Sequence, residues 1–295
     1  PKWPNAPRFR LKRPAVTTLV QKHFGTKLEK LNETYSSFKE LDAELHKLTV
    51  KYKGKTVREL IQALDIPIVL NKKNDVHKGI SEQIVVKMFG GQSKKIGKIE
   101  LFTKVGLIPK TVVQTINGNR TEDMKLFTIN FSEWLSDTVE TDEGEIVPMT
   151  FDASFVYNYF SEHQFLCILF EEPSTEAPLL DNKFLGFKRL IIDENTLNTE
   201  VRKTWDYIRY LVKNNLLVDV PELKKNGTQK VGPVTGIPSS APNFPKSKDY
   251  NFFVKGTSKD ASIKPLNING VQMYNQQLWI KGSIIVKMLE DIDFI

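Results

Sequence analysis

Cysteine is nearly absent: Cys167 is the only one in 295 residues. A single thiol forms no intrachain disulfide, builds no thiolate cage for zinc, and suits a reducing compartment. It lies within the apolar run FLCILF (165–170) and reads as packing rather than as a nucleophile. Long apolar runs are missing too; none nears the roughly 20 residues that a membrane-spanning helix needs. No secretion signal stands at the start, and no stretch repeats another. The chain opens at Pro1 without a methionine, as expected of a fragment of a longer protein. Acids are the scarcer charge: 35 Asp and Glu face 42 Lys and Arg, a net charge of +7. That balance favours an acidic partner, nucleic acid first. Hydrophobic residues at 40% and charged residues at 26% are ordinary globular composition, enough for one large domain or two modest ones.

In chain order, the opening PKWPNAPRFRLKRP is Pro-rich and basic, so residues 1–26 read as a linker or tail and 27–295 as one domain. Leu28, Leu31, Tyr35, Phe38, Leu41, Leu45 and Leu48 recur at spacings of three and four, which predicts a core-facing helix over 28–48. A second helix spans Thr56–Leu64, with Thr56 and Glu59 placed for a capping box. A third runs from Ile80 to Phe89 and stops at Gly90–Gly91. GKIELFTKVGL reads as a strand, and NGNR between QTI and MKLFTINF as a hairpin turn. FLCILF and FLGFKRLIID read as strands buried on both faces of a helix-covered sheet. A helix follows over Leu197–Val212, and then a long, exposed Gly/Pro/Ser/Lys loop over Gly227–Lys248. NFFVKGTSK and QLWIKGSIIVKML close the chain as strand, basic turn, strand and short helix.

The order of these blocks resembles a nuclease family. KGKTVRELIQALDI, KGISEQIVVKMFGG, IELFT, TLNTEVRKTWDYIRYLV, NFFVKGTSKDAS and LWIKGSIIVKML are together similar to the MutH/Sau restriction endonuclease family, which acts at GATC in DNA. The match covers roughly 38–289, and the chain looks most like the C-terminal, catalytically degenerate module of the two-module restriction enzymes. The resemblance implies an α/β, restriction-endonuclease-like (MutH-type) core, with a mixed central sheet flanked by helices. It implies the cytoplasm of a bacterium, a double-stranded DNA partner containing GATC, and a catalytic N-terminal domain in the same parent chain. A dimer on DNA is a further arrangement left open.

Family members cut DNA with Mg²⁺. Such chemistry needs carboxylates that share the metal with the scissile phosphate, and a lysine that stabilises developing charge. The family pattern sets an aspartate upstream of E-x-K on one strand, where a one-residue gap puts both side chains on one face. Glu100 keeps the glutamate here, but Phe102 stands at the lysine position, Ser93 near the aspartate position and Val86 at a helix acid position. GGQSKKIGKI (90–99) contains no acid, and a further family lysine falls near His163. The expectation is a domain with no metal of its own and Glu100 as a remnant. Its rival is an active nuclease whose site has migrated to Glu82, Glu100 and Lys104. A third reading is a protein-interaction module without DNA binding. DNA contacts are expected from Lys78 at the phosphate backbone and from Lys255 at a base, where the family places an arginine. Thr257, Lys259, Trp279 and Lys281 complete the expected surface, with Gly256 in place of a family proline.

Overall fold

The structure is a computed structural model, and it describes residues 11, 13–25, 27–72, 74–119, 122–141, 144–174, 177–224, 226–232, 236–258 and 262–295. Its helices are α1 (Arg13–His23), α2 (Phe38–Tyr52), α3 (Val57–Ala63), α4 (Ile80–Met88), α5 (Glu100–Lys104), α6 (Phe131–Trp134), α7 (Phe155–Glu162), α8 (Glu194–Thr196), α9 (Arg202–Lys213) and α10 (Gly282–Glu290). Its strands are β1 (Leu107–Thr115), β2 (Met124–Thr128), β3 (Thr138–Glu140), β4 (Ile146–Pro148), β5 (Gln164–Glu172), β6 (Lys183–Leu190), β7 (Asp219–Pro221), β8 (Ser240–Pro242), β9 (Phe252–Thr257), β10 (Leu266–Ile268), β11 (Val271–Met273) and β12 (Asn275–Ile280). The chain is therefore mixed α/β with small mixed sheets. It divides into two compact units rather than the single domain expected: 1–120 with 162–191 and 286–295, and 121–161 with 192–285.

In the first unit β5 is the middle strand, parallel to β1 and antiparallel to β6. Leu166, Ile168 and Phe170 join the main core, while Phe165, Cys167 and Leu169 on the opposite side are also buried. Burial on both faces is why the run is apolar without alternation, and each such side chain contributes about 1.5–3 kcal/mol. Helix α2 adds Leu41, Leu45, Leu48 and Tyr52 to that core. It starts at Phe38, not at Leu28: the Ser37 hydroxyl accepts from the Glu40 amide, and the Glu40 carboxylate takes the Ser36 amide at 2.8 Å. Leu31 and Tyr35 still pack on the core, but from a non-helical segment. Helix α3 carries the expected capping box, with the Thr56 amide donating to Glu59 at 2.7 Å. Helix α4 is as expected, and Gly90 ends it with φ +74°. Gly91 packs so tightly that a Cβ there would lie 2.7 Å from Val86 Cγ1, which explains the small pair at that point.

Three expectations fail in this unit. Residues 13–23 form a helix, α1, where a connector was expected; residues 1–10 of that connector lie outside the described residues. The segment IELFT is not a strand: a 3₁₀ turn over Ile96–Lys98 leads into α5, and β1 begins only at Leu107. The Thr115–Asn119 turn does form, closed by Gly118 N–H to Thr115 O at 2.8 Å, but the runs either side of it do not pair. β1 pairs with β5, and β2 with β12.

The second unit is built on the antiparallel sheet β2–β12–β9. The helix expected over 197–212 is there, as a π turn (Leu197–Val201) continuing into α9. Asp193 caps its start by accepting from the Thr196 amide at 2.8 Å. The buried stripe of α9 is Thr204, Trp205, Ile208, Leu211 and Val212, and Thr204 Oγ1 donates to the Phe252 carbonyl at 2.6 Å. Phe127, Trp134, Tyr159 and Phe160 meet edge to face in the same core, and the exposed Phe155 meets Phe127 at its margin. The stretch expected as an exposed loop over 227–248 instead contributes β8 to a pair with β7 and buries Phe244.

Candidate nucleic-acid interface

Glu100 opens the short helix α5, so Glu100, Phe102 and Lys104 do not share a strand face. At about 100° per residue, Phe102 points away from Glu100 while Lys104 lies one turn below it. Phe102 is fully buried and meets the Phe89 ring edge-on at 5.4 Å. The position where the family keeps a lysine is thus filled by a core side chain. Val86, at the helix acid position, is fully buried as well.

The carboxylates of this region are already engaged. Glu100 Oε1 takes the Lys22 ammonium of α1 at 2.5 Å, and its Oε2 is buried without a hydrogen-bond partner. Glu82 Oε2 accepts from the Ile96 amide at 3.3 Å. Glu29, which sequence reading passed over, accepts from the amides of Gln92 and Ser93, both at 2.6 Å. Burial acts on Glu29 most strongly and favours its neutral form. The Ser93 side chain, the two amides and the Lys87 charge together outweigh it and hold the pKa below its ordinary value. Ser93 therefore helps to hold Glu29 and stands nowhere near an acid's role.

Mg²⁺ demands near-octahedral oxygen ligation at about 2.0–2.1 Å. Here one carboxylate holds an ammonium and two hold backbone amides. Among the described residues no three His, Cys, Asp or Glu side chains gather as a metal would need. A hollow of about 240 Å³ beside Phe102, walled by Pro14, Thr17 and Gln21 of α1 and by His163, has no carboxylate in its lining. The residues present do not fit a divalent metal ion, and the grouping of Glu82, Glu100 and Lys104 gains nothing from the geometry. Lys104 and Lys78 are both exposed in this unit.

The other expected residues converge in the second unit. In the register of β9 and β12, Lys255 lies opposite Gln277, Thr257 opposite Asn275, and Trp279 opposite Phe253. On the far side of β12, Thr128 lies opposite Gln277 and Lys125 opposite Trp279, across a bulge at Leu278/Trp279. Alternation along β9 and β12, with the bulge against β2, then gives one face made of Thr257, Lys255, Asn275, Trp279, Thr128 and Lys125, with Gln277 and Phe253 buried within it. The opposite face, with Phe252, Val254, Leu278 and Ile280, is buried. Lys255 is exposed, and its Nζ sits 5.1 Å from the Trp279 ring centroid, a cation–π contact. Gln277 Oε1 and Trp279 Nε1 have no hydrogen-bond partner. A hollow of about 530 Å³ beside them is lined by Thr128, Thr257, Asn275 and Gln277.

Lys281 follows the strand, and its amide closes the sheet end by donating to the Asn251 carbonyl at 3.0 Å. Lys259 lies outside the described residues. Lys78 belongs to the other unit. Sequence reading missed Lys125, Thr128, Asn275 and Gln277; alternation in NQQLWI puts Asn275 and Gln277 on one side, while Lys125 and Thr128 share a side only through the bulge.

No protein-family model matches this chain, and no curated protein matches it in sequence. Among the described residues no helix is long and apolar enough to cross a membrane.

Proposed function

We propose that the chain is a restriction-endonuclease-like DNA-binding module, itself unable to cleave, from a type II enzyme that recognises GATC. It takes double-stranded DNA and acts as an effector for a nuclease half, the N-terminal domain of the same parent chain. One observation carries this reading: Lys255 is exposed and held over Trp279 on β9 and β12, the two-stranded edge ribbon of the sheet β2–β12–β9.

The major groove, about 12 Å wide, admits such a ribbon. Lysine suits guanine O6 and N7. The methyl groups of Thr128 and Thr257 suit the thymine methyl. Lys125 and Lys281 would neutralise phosphates, which adds affinity without sequence choice. The loss of the cutting machinery is supported by Phe102 in the core and by Lys22 on Glu100.

The test is a titration of the chain against a GATC duplex and a scrambled duplex of equal composition, at several salt concentrations. Tighter binding of the GATC duplex, weakening with salt, is the expected result. Equal affinity for the two would overturn the base-reading role, and no binding to either would favour a protein-interaction module.

A further inference from the structure

We propose a second binding site, for single-stranded nucleic acid, on the solvent side of α9. It shares no residue with the duplex-reading ribbon and stands whichever way that reading falls. Lys203, Tyr207 and Tyr210 recur at i, i+4 and i+7, on the side of α9 away from its buried stripe. Tyr250, from the turn before β9, joins them. The Tyr207 and Tyr250 rings lie 5.8 Å apart at 24°, and Tyr207 and Tyr210 lie 6.4 Å apart at 21°. Three rings are therefore nearly parallel, offset like a fan, and the outermost, Tyr210, is 54% exposed. They border a hollow of about 520 Å³ whose other walls are Asn198, Thr199, Arg202 and Lys203.

A hydrogen bond ties the turn beneath the fan to the helix. Asn251 Nδ2 donates to Glu200 Oε2 at 3.2 Å and ties the Tyr250 turn to the π turn at the start of the helix. Such π turns often mark functional positions. Lys203 Nζ lies 4.9 Å from the Tyr250 centroid, so a cation is already parked on the aromatic wall.

The occupant follows from shape and charge. A flat aromatic fan offers π-faces, and a nucleobase offers one back only when it is unstacked, which a duplex does not provide. The rim carries Arg202 and Lys203 against Asp206, which Arg202 meets at 3.5 Å, and against Asp249, whose charge acts on the Tyr250 hydroxyl. Lys203, which rests on Tyr250 and not on an acid, suits the phosphates of a strand whose bases lie on the rings, the usual combination for sequence-tolerant single-strand binding. A proline-rich peptide also lies well on tyrosines, and the test below separates it from a nucleic-acid strand.

The experiment is fluorescence anisotropy of a labelled oligothymidine with the full chain at low salt. Wild type is expected to bind. Tyr210→Ala and Tyr250→Ala should each weaken binding about 5- to 150-fold, the value of one base stack, while Tyr210→Phe keeps it. Lys203→Ala should reduce the salt slope by about 0.7. Lys255→Ala should leave oligothymidine binding unchanged, and Tyr210→Ala should leave duplex binding unchanged, so the two sites fail separately. Absence of wild-type binding, tyrosine variants that bind like wild type, or capture of a proline-rich peptide with no oligothymidine binding would each overturn the proposal. Tyr210 is largely exposed, so its variants should fold, and circular dichroism checks that.

Discussion

Around Glu100 one ammonium and three backbone amides meet carboxylates, whereas on the β9–β12 ribbon the Lys255 ammonium rests on an aromatic ring. Lys22 meets Glu100 directly, and the amides of Gln92, Ser93 and Ile96 occupy Glu29 and Glu82. Each pairing spends the charge that a metal or a phosphate would need. Lys255 over Trp279 is held in place without being neutralised, because an aromatic face offers a quadrupole and no counter-charge. A basic protein can thus contain both a closed electrostatic circuit and an open one.

The contrast breaks most visibly at Phe102. If the lysine position of the family is truly core here, Phe102→Ala should destabilise the chain by about 3–5 kcal/mol, measured by urea denaturation. An exposed strand position would cost at most about 0.5 kcal/mol. Next comes Glu29→Ala, which orphans two amides and should cost about 1.5–3 kcal/mol. The sign with pH follows from its lowered pKa: the contribution is complete above the ordinary glutamate value of 4.5 and is lost as pH falls through the folded value. The difference in stability between wild type and Glu29→Ala should therefore shrink on acidification; a difference that grows would contradict the assignment.

On the open side, Lys255→Ala should reduce the preference for GATC over scrambled duplex by about 1–3 kcal/mol, the value of one good base contact. Competition titrations read that preference directly. The smallest effect is expected from Lys22→Ala. The pair is partly solvated, so its loss should cost no more than about 1 kcal/mol, by thermal denaturation. A large loss would mean that the Glu100 circuit is more deeply built into the fold than its geometry implies.

What was legible in the sequence was local. The Thr56–Glu59 box, the Gly90–Gly91 stop and the FLCILF strand each announce themselves within a few residues. The true start of α2 was also written locally, as Ser37 followed by Glu40, but the apolar periodicity reaching back to Leu28 masked it. Non-local pairing was not legible. The Asn-Gly turn after β1 is real, yet the flanking strands join different sheets, because β5 and β12 offer them partners far along the chain. IELFT has strand composition but folds as a helical turn. The Glu29 backbone takes the place of a neighbouring strand only at Ile99 and the Glu100 amide, and Gly106, at φ +72°, resets the chain before β1. The candidate interface was half legible. Lys255, Thr257 and Trp279 were found through the resemblance, while Gln277 and Lys125 needed the register.

The most direct measurement incubates the chain with a GATC duplex and Mg²⁺, and runs the products on native and denaturing gels side by side. The account predicts a retarded complex on the first and intact strands on the second. Cleavage at GATC that disappears in Glu100→Ala, or intact DNA with no retarded complex, would contradict it.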